Sequence, residues 1–150
     1  MPINLEKALR LSNANADEKA MLADLQMNIL DGHGRRATRN IFLNFLDVEK
    51  GRAFVRAIAG HVTSTQRQLK DAEEHRKTGK SGGPVVGLML SSAGYAFLGR
   101  SDIMPTPDDG GAFAQGMLAR GGLLNDPPAA QLEAGYRERI HAMILIGADP

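Results

Sequence analysis

Val85-Val86-Gly87-Leu88-Met89-Leu90 is apolar on both faces. A short uncharged run of this kind suits a β-strand covered on both sides. Upstream, Arg39-Asn40-Ile41-Phe42-Leu43-Asn44-Phe45-Leu46 reads as a second strand over 39–46. Ile41, Leu43 and Phe45 share one face, and Phe42 and Leu46 share the other with Asn40 and Asn44. Downstream, Ile140-His141-Ala142-Met143-Ile144-Leu145-Ile146 is a third strand, again apolar on both faces.

The segments between these strands read mostly as helix. Asp47 caps a helix on which Phe54, Ile58 and Val62 recur every four residues, with Val55 and Ala59 beside them. That spacing is the stripe of an amphipathic helix lying on a sheet, with Gly51 and Gly60 weakening its ends. Residues 63–80 are polar and charged apart from Leu69 and Ala72. They predict a solvated helix or a mobile excursion, ended by Gly79, Gly82, Gly83 and Pro84. Ser91 or Ser92 caps a short helix running through Leu98. Residues 99–112 predict a loop, Phe113 and Met117 a further helix, and Gly121 to Pro128 another irregular stretch. Ahead of the first strand, Asn15 and Glu18 have capping-box spacing, and Leu22, Leu25 and Ile29 form one stripe with Met21 and Leu30 at its borders. The spacing predicts a helix over 17–31, stopped by Gly32 and Gly34. Strands alternating with helices imply a layered α+β or α/β domain. The strands 39–46 and 85–90 are expected to run parallel, joined by a right-handed crossover.

The chain has 150 residues, 43% hydrophobic and 23% charged, the composition of one globular domain or part of one. Lys plus Arg number 18 and Asp plus Glu 17, a net charge of +1, which argues against a broad nucleic-acid-binding face. There is no cysteine, so disulfides, thiolate nucleophiles, iron–sulfur ligation and covalent c-type heme attachment are excluded. The longest apolar run falls far short of the ~20 residues that cross a bilayer. Residues 1–10 carry Glu6, Lys7 and Arg10, and no signal-peptide core follows. A cytoplasmic protein without membrane or nucleic-acid partners is the expectation.

The residues that could carry chemistry are scattered. The four histidines, His33, His61, His75 and His141, include no pair at metal-ligand spacing. His33 is expected in a solvent-facing turn, His61 at a helix end, His75 in solvent, and His141 as a hydrogen-bonded residue at a sheet end. Asp108-Asp109-Gly110-Gly111 lacks the remaining ligands of a calcium loop and reads as a plain loop. Gly32-His33-Gly34 follows a helix, whereas a dinucleotide fingerprint follows a strand. Gly79-Lys80-Ser81 matches the end of a phosphate loop, but Glu74 stands where its first glycine is required. Arg35, Arg36 and Arg39 could meet a phosphate or a carboxylate. No self-contained catalytic constellation emerges.

Several segments, in order over residues 24–148, resemble the N-terminal part of the dye-decolourising (DyP-type) heme peroxidases. Asp24-Leu25-Gln26-Met27-Asn28-Ile29-Leu30 with Gly32-His33-Gly34-Arg35 is similar to the family's opening element, with Met27 in place of the usual Gly. Asn40-Ile41-Phe42-Leu43-Asn44-Phe45 resembles its first strand. Val62-Thr63-Ser64, Val86-Gly87-Leu88-Met89-Leu90-Ser91, Gly94-Tyr95-Ala96-Phe97-Leu98-Gly99 and Phe113-Ala114-Gln115-Gly116-Met117 follow in the expected places, as do Leu124-Asn125-Asp126-Pro127-Pro128 and Ile140 to Ile146.

The resemblance implies an α+β, ferredoxin-like half-domain of the dimeric α/β-barrel type over 17–150, after a lead-in at 1–16. It implies peroxide-dependent oxidation of dyes and other aromatic substrates by heme b in the full-length family. The family's distal aspartate lies in a Gly-x-x-Asp-Gly motif. Asn28 and Thr106 stand where that motif needs glycine before Asp31-Gly32 and Asp109-Gly110, so no catalytic, cofactor-binding or metal residue transfers. The expected order puts the last strand between the other two and antiparallel to them. The half-domain is then incomplete, lacking the final helix and strand that would cover the first strand's edge. Asp149-Pro150 directly after a strand reads as truncation, and no heme is expected on this chain alone. The expected partner is the missing C-terminal peroxidase half, or a second copy paired through the open strand edge.

Overall fold

A computed structural model describes residues 9–106 and 111–149 of the chain. Asp108, Asp109 and Gly110 of the expected loop lie outside these residues, as do residues 1–8 of the lead-in and Pro150.

Three strands form one sheet: β1 (Ala37–Leu43), β2 (Val85–Leu90) and β3 (Ala142–Ala148). Their order is β1-β3-β2, so the last strand is central, as expected. The register follows from its ends. The Arg36 N–H donates to the Asp149 side chain (3.1 Å), while the His141 N–H donates to the Leu43 carbonyl (2.9 Å). At β2, Val85 abuts Gly147, and the Ser91 N–H donates to the His141 carbonyl (3.1 Å). Both outer strands are therefore antiparallel to β3 and parallel to each other. The strand expected over 39–46 ends at Leu43, because Phe45 turns to pack on His141. The strand expected over 140–146 is displaced to 142–148, its end held where Asp149 accepts from Arg36 and from the Ser81 hydroxyl (2.6 Å).

The outer edges of the sheet differ. On β2, the Val86 carbonyl accepts from the Thr63 N–H (2.8 Å) and the Val86 N–H donates to the Thr63 hydroxyl (3.0 Å). On β1 no further strand pairs among the described residues, and Phe42 stays 43% exposed.

The chain divides into two compact units. The first comprises Met1–Asn40, Ala59–Gly87 and Leu145–Pro150. Helix α1 (Ala16–Asp24) opens with the expected reciprocal cap: the Glu18 N–H donates to the Asn15 side chain (2.9 Å), and the Asn15 N–H to the Glu18 carboxylate (2.8 Å). The helix stops at Asp24 rather than 31. Tertiary pairing overrides its periodicity, since the Leu25 carbonyl accepts from Thr65 (2.7 Å) and the Met27 N–H donates to Thr63 (2.8 Å). Met27 is buried, and its methyl group fills the space left by the missing side chain of Gly87. The polar run 63–80 forms a helix (Thr65–Thr78) with a Ser64 cap and Gly79 left-handed at its end. Its start is not solvated: Thr63, Thr65 and Gln68 are buried, contrary to expectation. They satisfy backbone groups of 26–32 that helix α1 leaves unpaired, Gln68 alone meeting the Asn28 N–H and the Asp31 and Gly32 carbonyls.

The second unit comprises Ile41–Ile58 and Leu88–Ile144. Helix α2 (Val48–Ala59) starts where the Asp47 side chain accepts from the Lys50 N–H (2.8 Å), as the sequence implies. Its Gly51 faces Phe45 and Leu98, and an added Cβ there would stand 2.9 Å from Leu98 Cδ2 and 3.2 Å from Phe45 Cγ. Numbering the 65–78 helix α3, the next is α4 (Ser92–Phe97), capped by Ser91. Between it and β3 the described residues form short turns of helix, including Ala112–Gln115, Gly121–Leu124 and Ala134–Arg137. The helix expected through Met117 ends at Gln115, because Gly116 at φ +76° breaks it. Met117, Leu123 and Leu46 are largely exposed.

Candidate functional site

In the first unit the Gly32–Arg36 turn is a clamp on the chain's own carboxylates. His33 Nδ1 accepts from the Arg35 N–H (2.9 Å), which turns the imidazole onto Gly147. Arg35 donates through Nε to the Gly83 carbonyl (2.8 Å) and pairs through Nη2 with Asp71 (3.4 Å). Its side chain is only 9% exposed. Gly82 packs so closely on the Asp71 carboxylate that a Cβ there would overlap it. The Ser81 hydroxyl, then the Arg36 N–H, hold the Asp149 carboxyl below the usual carboxylate range, with Arg35 and Arg36 adding attraction. The carboxylates available to Arg35 and to the Arg36 backbone are thus internal. His33 is half-buried rather than solvent-facing.

Among the described residues of the second unit His141 is the buried titratable group, 6% exposed. Its Nδ1 accepts from the Phe45 N–H (2.9 Å), which fixes the neutral ring with its proton on Nε2. The ring stacks on Phe97 (4.5 Å between centroids) and Phe45 (5.8 Å). Desolvation, then the charge of Arg139, lowers its pKa below 6.5. The sheet-end, hydrogen-bonded role expected of this residue is the one observed. Phe45 also packs on Phe54 (6.0 Å), so the cluster ties α2 and α4 to the start of β3.

A heme group, which the resemblance implies, requires an imidazole nitrogen with an open approach. His141 is wedged between two rings with Nδ1 engaged. His33 has Nδ1 engaged and lies against Gly147, while His61 and His75 are exposed on separate segments. Two clefts in the second unit, one walled by residues between Leu118 and Leu132 and one around Arg52 and Tyr95, contain no histidine. Among the described residues no three His, Asp or Glu side chains assemble a metal site. His141 and His33 therefore do not fit an axial heme ligand, and the exposed His61 and His75 line neither cleft. Asp31 is exposed, and its carboxylate accepts from the adjacent Gly32 N–H (2.8 Å). Reading the sequence alone missed Gln68 and Arg52, the latter pinned by two bonds to the Leu98 carbonyl (2.9 and 2.7 Å). Neither sits in a motif, and only proximity in space identifies them.

No family model matches the chain. Among curated proteins, the multifunctional dye peroxidase DyP2 of Amycolatopsis sp. is 33% identical over 147 residues, covering 98% of this chain. The structure of that protein superposes with a TM-score of 0.86 over 97% of this chain, and a DyP-type peroxidase of Anabaena sp. with 0.73 over 87% at 36% identity. The chain spans 31% of the length of the first and 28% of the second. Among the described residues no helix is long and apolar enough to cross a membrane.

Proposed function

Because this chain is homologous to part of the DyP-type peroxidases along 98% of its length and shares their ferredoxin-like α+β fold, we propose that it is the N-terminal part of such an enzyme. In this reading residues 17–150 belong to its first ferredoxin-like domain, and the protein is cytoplasmic. The reaction of the whole protein is the oxidation of dyes and other aromatic substrates by hydrogen peroxide. Heme b supplies the electron chemistry. This chain's own residues contribute a packed sheet, a buried neutral His141 and the Arg35–Asp71 clamp, and they neither ligate iron nor move protons on peroxide. The colinear similarity carries the reading, with the absence of a Gly-x-x-Asp-Gly motif from the sequence.

The partner in this reading is the C-terminal peroxidase half, joining at the unpaired edge of β1. Titration of the isolated chain with heme tests it. The expected result is no Soret band of defined stoichiometry and no peroxide-dependent dye bleaching. A stoichiometric Soret band with turnover would refute it. The open β1 edge favours one second reading, a non-enzymatic module that pairs with another copy there. Light scattering separates the two, since a defined soluble oligomer supports the module and a heterogeneous aggregate supports the enzyme part.

A further inference from the structure

Three arginines and a set of aliphatic side chains meet around one cleft of the second unit. Arg52, Val55 and Arg56 stand at i, i+3 and i+4, on one face of α2. Leu90 at the end of β2, Tyr95 and Leu98 of α4 with its cap, Arg100 and Ile103 complete the walls. The cleft measures about 450 Å³, within the range of small-molecule sites. Its lining is mostly apolar, and its charged groups are guanidiniums.

These guanidiniums differ in what they already hold. Arg52 donates twice to the Leu98 carbonyl and once to Glu49 (2.9 Å). Its approach needs Gly99, which lies at φ +65° and whose Cβ would stand 2.8 Å from Arg52 Nη2. Arg100 grips Asp102 with two bonds, of 3.0 and 3.2 Å. Arg56 is exposed and makes no ion pair or hydrogen bond among the described residues. Glu49 and Asp102 offset two of the three arginines, so one unbalanced positive charge remains, on Arg56.

We propose that this cleft binds a small amphipathic carboxylate. The apolar body lies along Val55, Leu90, Leu98 and Ile103, and the carboxylate takes the open fork of Arg56. A planar guanidinium matches a carboxylate with two parallel N–H donors. One net charge suits a monoanion, because a dianion would have to displace Glu49 or Asp102 from its arginine. An amine would face Arg56 unfavourably, and a polyol would leave the apolar floor uncovered. This assignment is independent of the family reading.

The test titrates the full 150-residue chain, isotope-labelled, with octanoate and separately with octanol, followed by amide NMR shifts. Octanoate is expected to saturate one site whose shifts map to residues 52–56, 90 and 95–103. It should bind about fivefold tighter than octanol, the scale of one partly exposed charge pair. Arg56→Gln, at an exposed unpaired position, should remove that preference without altering octanol binding, and Arg56→Lys should retain part of it. Added salt should weaken octanoate alone. Equal binding of acid and alcohol, octanoate binding indifferent to Arg56→Gln, shifts that map elsewhere, or no saturable binding would each overturn the proposal. The last is the outcome expected if the cleft seats another polypeptide instead.

Discussion

Gly94→Ala should destabilise the second unit by about 3 kcal/mol. A Cβ at residue 94 would overlap the His141 carbonyl oxygen, and it would stand 3.0 Å from the carbonyl carbon and 3.4 Å from Cα. All three atoms are backbone at the start of β3, so no side chain can swing aside. Relief requires α4 to retreat from β3. That movement stretches the bond from the Ser91 N–H to the same oxygen (3.1 Å) and the bond from the Ser91 hydroxyl to the Ile140 carbonyl (2.6 Å), and it disturbs the Ser91 cap on the Gly94 N–H (3.0 Å). Overpacking costs about 1–3 kcal/mol. Loss of the cap and of one buried bond adds about 1–2. Alanine's helix propensity returns about 1. Urea titration followed by circular dichroism gives the measurement, with Gly122→Ala as control, since nothing lies within 4 Å of a Cβ there. Ser91→Ala should cost about 1 kcal/mol alone and nearly nothing added to Gly94→Ala, because both remove the same contact. A Gly94→Ala protein within about 1 kcal/mol of the parent, or additive effects of the pair, would refute this account of the α4–β3 contact.

Two further outcomes follow from buried groups. His141 has a folded pKa below 6.5, so the unfolded chain binds the proton first as pH falls. Stability should hold above about pH 7, decline as pH drops through 6.5 toward the folded pKa, and level off below it, where both states carry the proton. His141→Gln, which keeps an acceptor for the Phe45 N–H, should flatten that part of the pH–stability curve, and an unchanged curve would assign the dependence to another group. Met27→Ala should cost about 2–4 kcal/mol by leaving a cavity. Gly87→Ala, whose Cβ would lie 3.1 Å from the Met27 methyl group, should cost about 1 kcal/mol alone and less in the Met27→Ala background, as read by thermal unfolding of the four proteins.

The expected helix over 17–31 and the observed helix of Ala16–Asp24 show where local reading stops. Leu25 and Ile29 keep helical spacing with Leu22, so the periodic signal continues past the true end. What ends the helix is Thr63 and Thr65, nearly forty residues away, whose backbone takes the Met27 N–H and the Leu25 carbonyl. The polar run 63–80 was misleading for the same reason. Its length and charge described the exposed turns of α3 well, but Thr63, Thr65 and Gln68 are buried because backbone groups elsewhere need partners. At the candidate sites, the Asn28 and Thr106 mismatches were legible in a motif of fixed spacing. The arginine-rimmed cleft was not, since Arg52, Leu90 and Arg100 lie on three separate segments.

By itself the sequence determined what depends on neighbours within a few residues. It placed three apolar strands, the Asn15–Glu18 capping box, the Asp47 cap, a serine cap at 91 or 92, and the glycine-rich segment that ends α3. Short-range hydrogen bonds and side-chain alternation repeat with the geometry of the backbone, so they leave a periodic trace in the chain. Among the described residues the tertiary structure decided which edge of the sheet meets Thr63 and which is left open at β1, and which guanidiniums of the cleft are spent on carbonyls and carboxylates and which remains free. These outcomes rest on pairings between residues tens of positions apart, and such pairings follow from how elements pack rather than from any repeat along the chain.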